Sequence, residues 1–397
     1  MTGPRRAPAL LLAAVGTLPA LLLGAPEARA VGAPCTFPAQ PIAERPWSLQ
    51  RVLLDRLWQE TRGEEVTVAV IDSGVDTRNP QLAEAVPPGA GADVTGEEGG
   101  GPTVDPLGHG TRVAGIIAAR EHPATGFVGL APAAAILPIR QTDSEGNGDV
   151  AGLIQAIDLA VAQGADVINI SQDTTEPLPD DSGLRAAVDR AVDRDVLIVA
   201  SAGNEGADGR RRATYPAAYE GVLAVAASDR NNERASFSQS GEFVDIAAPG
   251  VDMVSTVPGG GQCVDHGTSF AAPFVSGVAA LVRAEHPDWT AEQVSAHLRQ
   301  TAERAVPGPD PYLGWGVVDP VRALTEDAGT PPDRPVPDEG PAPAPAPDVP
   351  ALAEGETHAD RDRRLGRLVL LSGAVLTAVL TGTALVLRDA RRRRPAR

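Results

Sequence analysis

Aromatic residues make up only 3% of this 397-residue sequence, and it holds just two cysteines, Cys35 and Cys263. With so few rings, any core has to be built from Ala, Val, Leu and Ile. The 43% hydrophobic content is enough for one large domain or two ordinary ones. Neither cysteine has another cysteine or a histidine at ligand spacing, which argues against a zinc site. Basic charge is scarce as well. A formal net charge of −18 speaks against nucleic acid or an anionic membrane surface as a partner. The exception is local, because the last ten residues carry six arginines and one aspartate. Such a cluster reports topology or a tail, not a fold.

Two apolar segments stand apart from the rest. At the start, Arg5 and Arg6 precede an apolar stretch, 7–24, and then Ala28-Arg29-Ala30. This is the pattern of a secretory signal, residues 1–30, with cleavage leaving Val31 first. Gly32-Ala33-Pro34 before Cys35 does not resemble a bacterial lipoprotein box. Export leads to an oxidising compartment, where Cys35 and Cys263 either pair, the reading that export favours, or stay as two thiols. The second segment, 368–387, is 20 residues without a charge. As a helix it would measure about 30 Å, the thickness of a bilayer core. A buried core helix is the alternative, but a Pro-rich stretch isolates the segment and arginines crowd both its ends. The export signal puts the preceding domain outside and the basic tail, 388–397, inside, as positive-inside statistics prefer. Arg361, Arg363, Arg364 and Arg367 pull against that orientation, and the signal outweighs them.

Between these segments, residues 31–62 form a short extension with Trp47 and Trp58. From 63 to 325, short apolar runs alternate with Ala-rich helical patterns. The strand candidates are 66–72, 135–139, 166–171, 196–200, 222–227 and 244–247. Helical patterns such as 150–163 and 183–194 lie between them. Continuously apolar strands alternating with helices predict an α/β fold, with a mainly parallel sheet covered by helices on both faces. Residues 326–367 form a linker. Nine of the twenty residues from 331 to 350 are proline, so that stretch cannot bury a core and reads as a semi-extended spacer.

Four motifs carry chemistry. Val68-Ala69-Val70-Ile71-Asp72 is a strand ending in an aspartate. Gly108-His109-Gly110-Thr111 puts a histidine at the start of a small-residue helix. Gly267-Thr268-Ser269-Phe270-Ala271-Ala272-Pro273 puts a serine at the start of an apolar helix. Val199-Ala200-Ser201-Ala202-Gly203-Asn204 is a strand leading to an asparagine. A serine is a weak nucleophile until a base takes its proton, and the base needs a carboxylate to hold its tautomer. In open α/β sheets, sites form beyond the carboxyl ends of the strands, where Asp72 is expected. A serine at a helix N-terminus lies among free N–H groups suited to an oxyanion, and an Asn204 amide would add a second donor. Alone, each residue is commonplace: a turn aspartate, a surface histidine, a GTS tripeptide. His122, His266, His286, His297 and His358 lack such context and read as surface or helix-face residues, and Arg210–Arg212 as a solvated loop.

In the order Asp, His, Asn, Ser, these motifs over residues 63–325 resemble the subtilisin-like serine proteases, the subtilases. The resemblance implies a three-layer fold and peptide hydrolysis, with Asp72, His109 and Ser269 as the triad and Asn204 at the oxyanion hole. Ser171 resembles the end of a substrate-lining strand, Gly146 and Gly148 the other strand that pairs with an extended substrate, and Tyr215-Pro216 a turn that often holds a cis proline. Two positions depart from the family. Asp173 stands where glycine is common, as either a pocket carboxylate favouring a basic residue before the scissile bond or a solvent-facing rim residue. Gln81 stands where many members place a calcium-ligating aspartate, so no cofactor is predicted there, and calcium elsewhere is left open. The 32-residue extension is too short for a chaperone with its own core. Extension, protease domain, Pro-rich linker, single membrane helix and basic tail together resemble the mycosins, the membrane-anchored subtilases of actinobacterial type VII secretion systems. That likeness implies an extension wrapped on the domain, with Cys35 clamped near Cys263. It also implies extended protein substrates exported by that machinery and a cell-membrane location with the catalytic domain outside. A structural role in the secretion complex and a general degradative role at the cell surface are the rival functions.

Overall fold

A computed structural model of the chain describes residues 35–176, 182–326, 329, 334–337 and 358–392. The expected export signal, most of the linker and the last five residues lie outside them. The chain forms two compact units, 1–338 and 339–397.

In the first unit, seven strands build one parallel sheet. They are β1 (Thr67–Asp72), β2 (Ala92–Asp93), β3 (Ala135–Arg140), β4 (Val167–Ile170), β5 (Leu197–Ser201), β6 (Val222–Ser228) and β7 (Ile246–Pro249), in the order β2-β3-β1-β4-β5-β6-β7. Neighbouring strands run parallel throughout. The period-2 alternation of a strand sorts its side chains between two cores. Val68 and Val70 enter one core, and Ala69 and Ile71 the other. Both faces are buried, which is why these strands read as unbroken apolar runs.

Over the first face lie α3 (His109–Ala118) and α6 (Thr268–Glu285), with α7 (Ala291–Thr301) and α8 (Pro320–Thr325) beside them. Helices α4 (Val150–Ala162) and α5 (Gly183–Val192) cover the second face. Local chemistry starts these helices. The Asp149 side chain accepts from Gly152 N, Ser182 from Arg185 N, and Thr290 and Gln293 form a reciprocal capping box. A small antiparallel hairpin, β8 (Met253–Thr256) and β9 (Gln262–Asp265), completes the unit. The sequence reading anticipated the six long strands of the sheet. It missed β2 and the hairpin, whose strands are only two to four residues long.

The extension is part of this unit. Its two single-turn helices, α1 (Trp47–Gln50) and α2 (Leu54–Leu57), and the turn between them bury Leu49, Val52, Leu54 and Leu57 in the first core. Burying each such side chain contributes roughly 1.5–3 kcal/mol. The Trp47 and Trp58 indoles donate to the carbonyls of Val251 and Leu130. Cys35 is disulfide-bonded to Cys263 on β9, with Cα atoms 5.9 Å apart. Gln81 sits in the same region. Its amide nitrogen donates to the Arg120 and Phe127 carbonyls, and its oxygen accepts from Gln262. That amide therefore acts as a crosspiece between segments of the chain.

The second unit contains α9 (His358–Arg392). Within its exposed stretch Ala359–Asp389 an 18-residue window reaches a mean hydropathy of 2.1, and it is the one described helix long and apolar enough to cross a membrane.

Candidate active site

The parallel sheet brings the ends of β1, β4 and β5 to one edge. Asp72 is the last residue of β1 and is buried. Its Oδ1 lies 2.7 Å from Nδ1 of His109, the first residue of α3. That oxygen also accepts from the Ser73 N–H, at 2.8 Å. Burial drives the imidazole pKa down. The Asp72 carboxylate, by charge and hydrogen bond, pulls it up further, so His109 ends above its ordinary value.

What holds the two side chains together is Asp105, a buried carboxylate that sequence reasoning passed over. Its Oδ1 accepts from Ser73 Oγ (2.8 Å) and Gly108 N (2.7 Å), and its Oδ2 from Thr111 N (2.8 Å) and Thr111 Oγ1 (2.5 Å). Ser73 Oγ in turn accepts from Gly110 N at 3.0 Å. One carboxylate thus ties the end of β1 to the first turn of α3. The approach is close: a Cβ on Gly110 would meet the Gly74 carbonyl oxygen at 2.2 Å. A signal existed in the sequence, since an aspartate four residues before His109 is placed to cap that turn.

Ser269 is the second residue of α6 and is buried. Phe270, which follows it, packs its ring 5.4 Å from the His109 imidazole. Pro273 sits four residues after Ser269. A proline has no N–H, so the Ser269 carbonyl loses its intrahelical donor. Ser171 Oγ, just beyond β4, takes that place at 3.4 Å. Ser171 accepts from Asn169 Nδ2 (3.0 Å), and Asn169 Oδ1 accepts from Ser276 Oγ (3.0 Å). This buried polar chain fastens α6 to the centre of the sheet. Asn169 and Ser276 carry no motif and were not anticipated.

Asn204 follows β5 and is exposed. Its oxygen accepts from Thr268 N (2.9 Å) and Thr268 Oγ1 (3.1 Å). That fixes the amide orientation and leaves the Nδ2 hydrogens unshared among the described residues. Gly267, just before α6, adopts φ +154°, and a Cβ there would come within 2.9 Å of Ser269 Oγ. Asp72, His109, Asn204, Ser171 and Ser269 are therefore gathered at one edge of the sheet.

Gly146 and Gly148 are not in a strand. They lie in an exposed turn whose Asp143 Oδ1 accepts from Glu145 N and Asn147 N, a competition that a polar loop wins over strand pairing. A Cβ on Gly146 would lie 3.8 Å from Leu107, two residues before His109. This turn is braced by Arg140, which is fully buried at the end of β3 and pairs with Asp93 and Glu97, while Glu97 also holds Ser144. Asp173 is exposed as a whole residue, but its carboxylate turns inward, with Oδ1 3.4 Å from a Cβ placed on the buried Gly203. Partial burial first, and the neighbouring Glu205 second, push its pKa up to about 6. Tyr215-Pro216 is cis. Of the histidines read as surface or helix-face residues, His297 is a helix-face one, buried on the inner face of α7 with Nε2 2.8 Å from the Ala323 carbonyl.

The profile of the subtilase family (Peptidase_S8) matches residues 63–316. The chain belongs to the subtilase family of subtilisin-like serine proteases. It is 40% identical over 257 residues to Subtilisin E of Bacillus subtilis (strain 168), a match that covers 64% of this chain and 65% of that one. A subtilisin of Bacillus pumilus is also 40% identical over 257 residues, with 64% of this chain and 90% of that one covered. Among solved structures, MycP1 with its N-terminal propeptide removed is 34% identical with a TM-score of 0.66, covering 73% of this chain and all of that one. MycP3, a protease from the type VII (ESX-3) secretion system, is 34% identical with a TM-score of 0.63, covering 72% and 92%. MycP1 from Mycobacterium smegmatis is 32% identical with a TM-score of 0.66, covering 80% and 92%.

Proposed function

We propose that this subtilase is a membrane-anchored, extracytoplasmic serine endopeptidase that processes proteins exported by a type VII secretion system. The observation that carries the reading is the 2.7 Å contact between the buried Asp72 carboxylate and Nδ1 of His109. It assigns the Nδ1 proton to the Asp72 side and leaves Nε2 as the base. Ser269 Oγ attacks the scissile carbonyl while His109 takes its proton, and His109 then gives that proton to the leaving amine. Water repeats the sequence on the acyl-enzyme and frees the serine. Asp72 stabilises the imidazolium in both halves. Asn204 Nδ2 and the Ser269 N–H, at the positive end of α6, hold the oxyanion. An extended substrate would lie between the segment at Ser171 and the turn at Gly146 and Gly148.

The apolar α9 helix supports membrane anchoring, and the likeness to MycP1 and MycP3 supports the secretion context. The test is labelling of the full chain, in detergent, with a fluorophosphonate, beside Ser269→Ala. Labelling of the wild type alone is expected; a folded wild type that stays unlabelled would overturn the catalytic assignment. In cells, a secreted type VII substrate should accumulate unprocessed with Ser269→Ala. Normal processing in that strain would refute the processing role.

A further inference from the structure

A large cavity lies far from this site, at the opposite pole of the sheet. It has a volume of about 770 Å³ and is bordered by Val196, Val222 and Asp245, at the amino ends of β5, β6 and β7. The proposed active site sits beyond the carboxyl ends of the same sheet. Tyr219, Phe243 and Trp315 supply aromatic walls, and Glu220, Glu242 and Glu292 supply carboxylates. Glu220 and Glu292 have no ion pair among the described residues, while the two arginines of the wall, Arg185 and Arg299, are paired with Asp189 and Asp245.

Part of the linker is seated here. Arg334 and Pro335 border the cavity, Val336 N donates to Gln300 Oε1 at 2.7 Å, and Pro337 packs on Gly308. The linker's composition makes this placement informative. From 326 to 360 it holds nine carboxylates and one arginine, and that arginine is Arg334. The only lysine or arginine between 326 and 360 is therefore the residue that borders this carboxylate-bearing wall. The neighbouring prolines suit the aromatic walls: a Pro-X-Pro segment is already extended, loses little entropy on docking and presents its rings to aromatic faces.

We infer that this cavity is a docking site for the chain's own linker segment Arg334–Pro337. It takes an extended, Pro-rich, arginine-bearing peptide and makes the tether leave the protease unit at the pole opposite its active site. The acidic, Pro-rich linker is then kept out of a cleft built to receive extended chain.

The test is hydrogen exchange on the full chain in detergent, read by mass spectrometry. In the wild type, the linker peptide 331–338 should exchange more slowly than the same synthetic peptide free in solution. Arg334→Glu should speed its exchange about tenfold, together with that of the wall segment 217–222, as a released segment does. Fluorophosphonate labelling of this variant should be unchanged, which certifies its fold. Adding a synthetic 329–340 peptide should slow the wall segment again in Arg334→Glu but not in the wild type, whose own segment already lies against it. The same peptide carrying Glu at position 334 should have no effect. Glu220→Lys with Glu292→Lys should restore protection to Arg334→Glu by charge reversal. The inference is overturned if Arg334→Glu exchanges like the wild type, or if the two peptides act alike.

Discussion

Asp105→Asn separates positioning from folding. The carboxylate accepts two backbone N–H groups, one on each oxygen, and two hydroxyls. In the amide, one oxygen becomes an NH₂. The hydroxyls of Ser73 and Thr111 can rotate, but the N–H of Gly108 or Thr111 cannot. Whichever way the amide turns, one backbone donor faces another. Orphaning a buried donor costs about 1–3 kcal/mol. An effect of opposite sign accompanies it. Burial first, and then the nearby Asp72, push the Asp105 pKa up against the pull of its four donors. A carboxylate whose folded pKa is raised is costlier to ionise in the folded chain than in the unfolded one. At neutral pH the substitution therefore removes a charge penalty as it orphans a donor. The two effects oppose each other, so Tm should fall by less than the orphaned donor alone would cause, at about 2–4 °C per kcal/mol.

Activity has no such compensation. Relaxing the tie between β1 and α3 lets Asp72 and His109 drift, and a displacement of about 1 Å can cost on the order of 100-fold. The charge of Asp105 also helps to raise the His109 pKa. Its removal lowers that pKa, and because the base acts when neutral, the acid limb of the rate profile should move to lower pH. The assay is the second-order rate of fluorophosphonate inactivation across pH 4–9, which needs no known substrate. The expected result is a plateau about 10- to 100-fold lower, with the acid limb shifted down and Tm lowered by less than the orphaned donor alone would cause. A wild-type plateau with an unmoved limb would refute the reasoning. A collapse of Tm would show Asp105 to be a folding residue instead.

Asn204→Ala removes the side-chain oxyanion donor and should lower kcat about 10²–10³-fold with little change in KM, the cost known for such a donor in a subtilisin. A KM effect alone, measured on a peptide substrate, would reassign Asn204 to binding. Asp173→Asn should raise Tm at pH 7.5 and leave it unchanged below about pH 4. With a folded pKa of about 6 against an unfolded value near 3.9, the penalty for its charge grows between those values and persists above them. A thermal melt showing the same gain at both pH values would contradict that.

The fold was legible because its signals are local and repeated. Each long strand is an apolar run of four to seven residues, and the two-sided burial that makes it continuous is a property of the whole sheet. β2 was not legible because it is two residues long, and β8 and β9 because Ser255, Thr256, Gln262 and Asp265 break the apolar run that marks the long strands. Asp72, His109, Asn204 and Ser269 were visible because each ends a strand or begins a helix in a distinctive small-residue context. Asn169, Ser276 and the tie of Asp105 to Ser73 were hidden for the opposite reason. A hydrogen-bonding partner that lies 32 or 107 residues away leaves no mark in its own neighbourhood. Gly146 and Gly148 show a further limit: the reading placed them near the site, but a strand requires a partner strand, and this turn is closed by Asp143 instead.

Pro273 shows how one residue can serve several levels of this structure. Inside a helix, a proline normally costs about 3 kcal/mol, chiefly through a lost hydrogen bond and a clash with the carbonyl four residues back. Here that carbonyl belongs to Ser269, near the end of the helix where the backbone is least constrained. The freed oxygen is held by Ser171 Oγ, which is itself anchored through Asn169 to Ser276, seven residues after Ser269 on the same helix. The helix is therefore gripped at two points by the strand β4 and its extension. The penalty of the proline is offset by a bond that fixes the backbone at Ser269 relative to the sheet. The same sheet edge carries Asp72. Nucleophile and carboxylate are thus referenced to one rigid frame, with His109 held between that frame and α3 by Asp105.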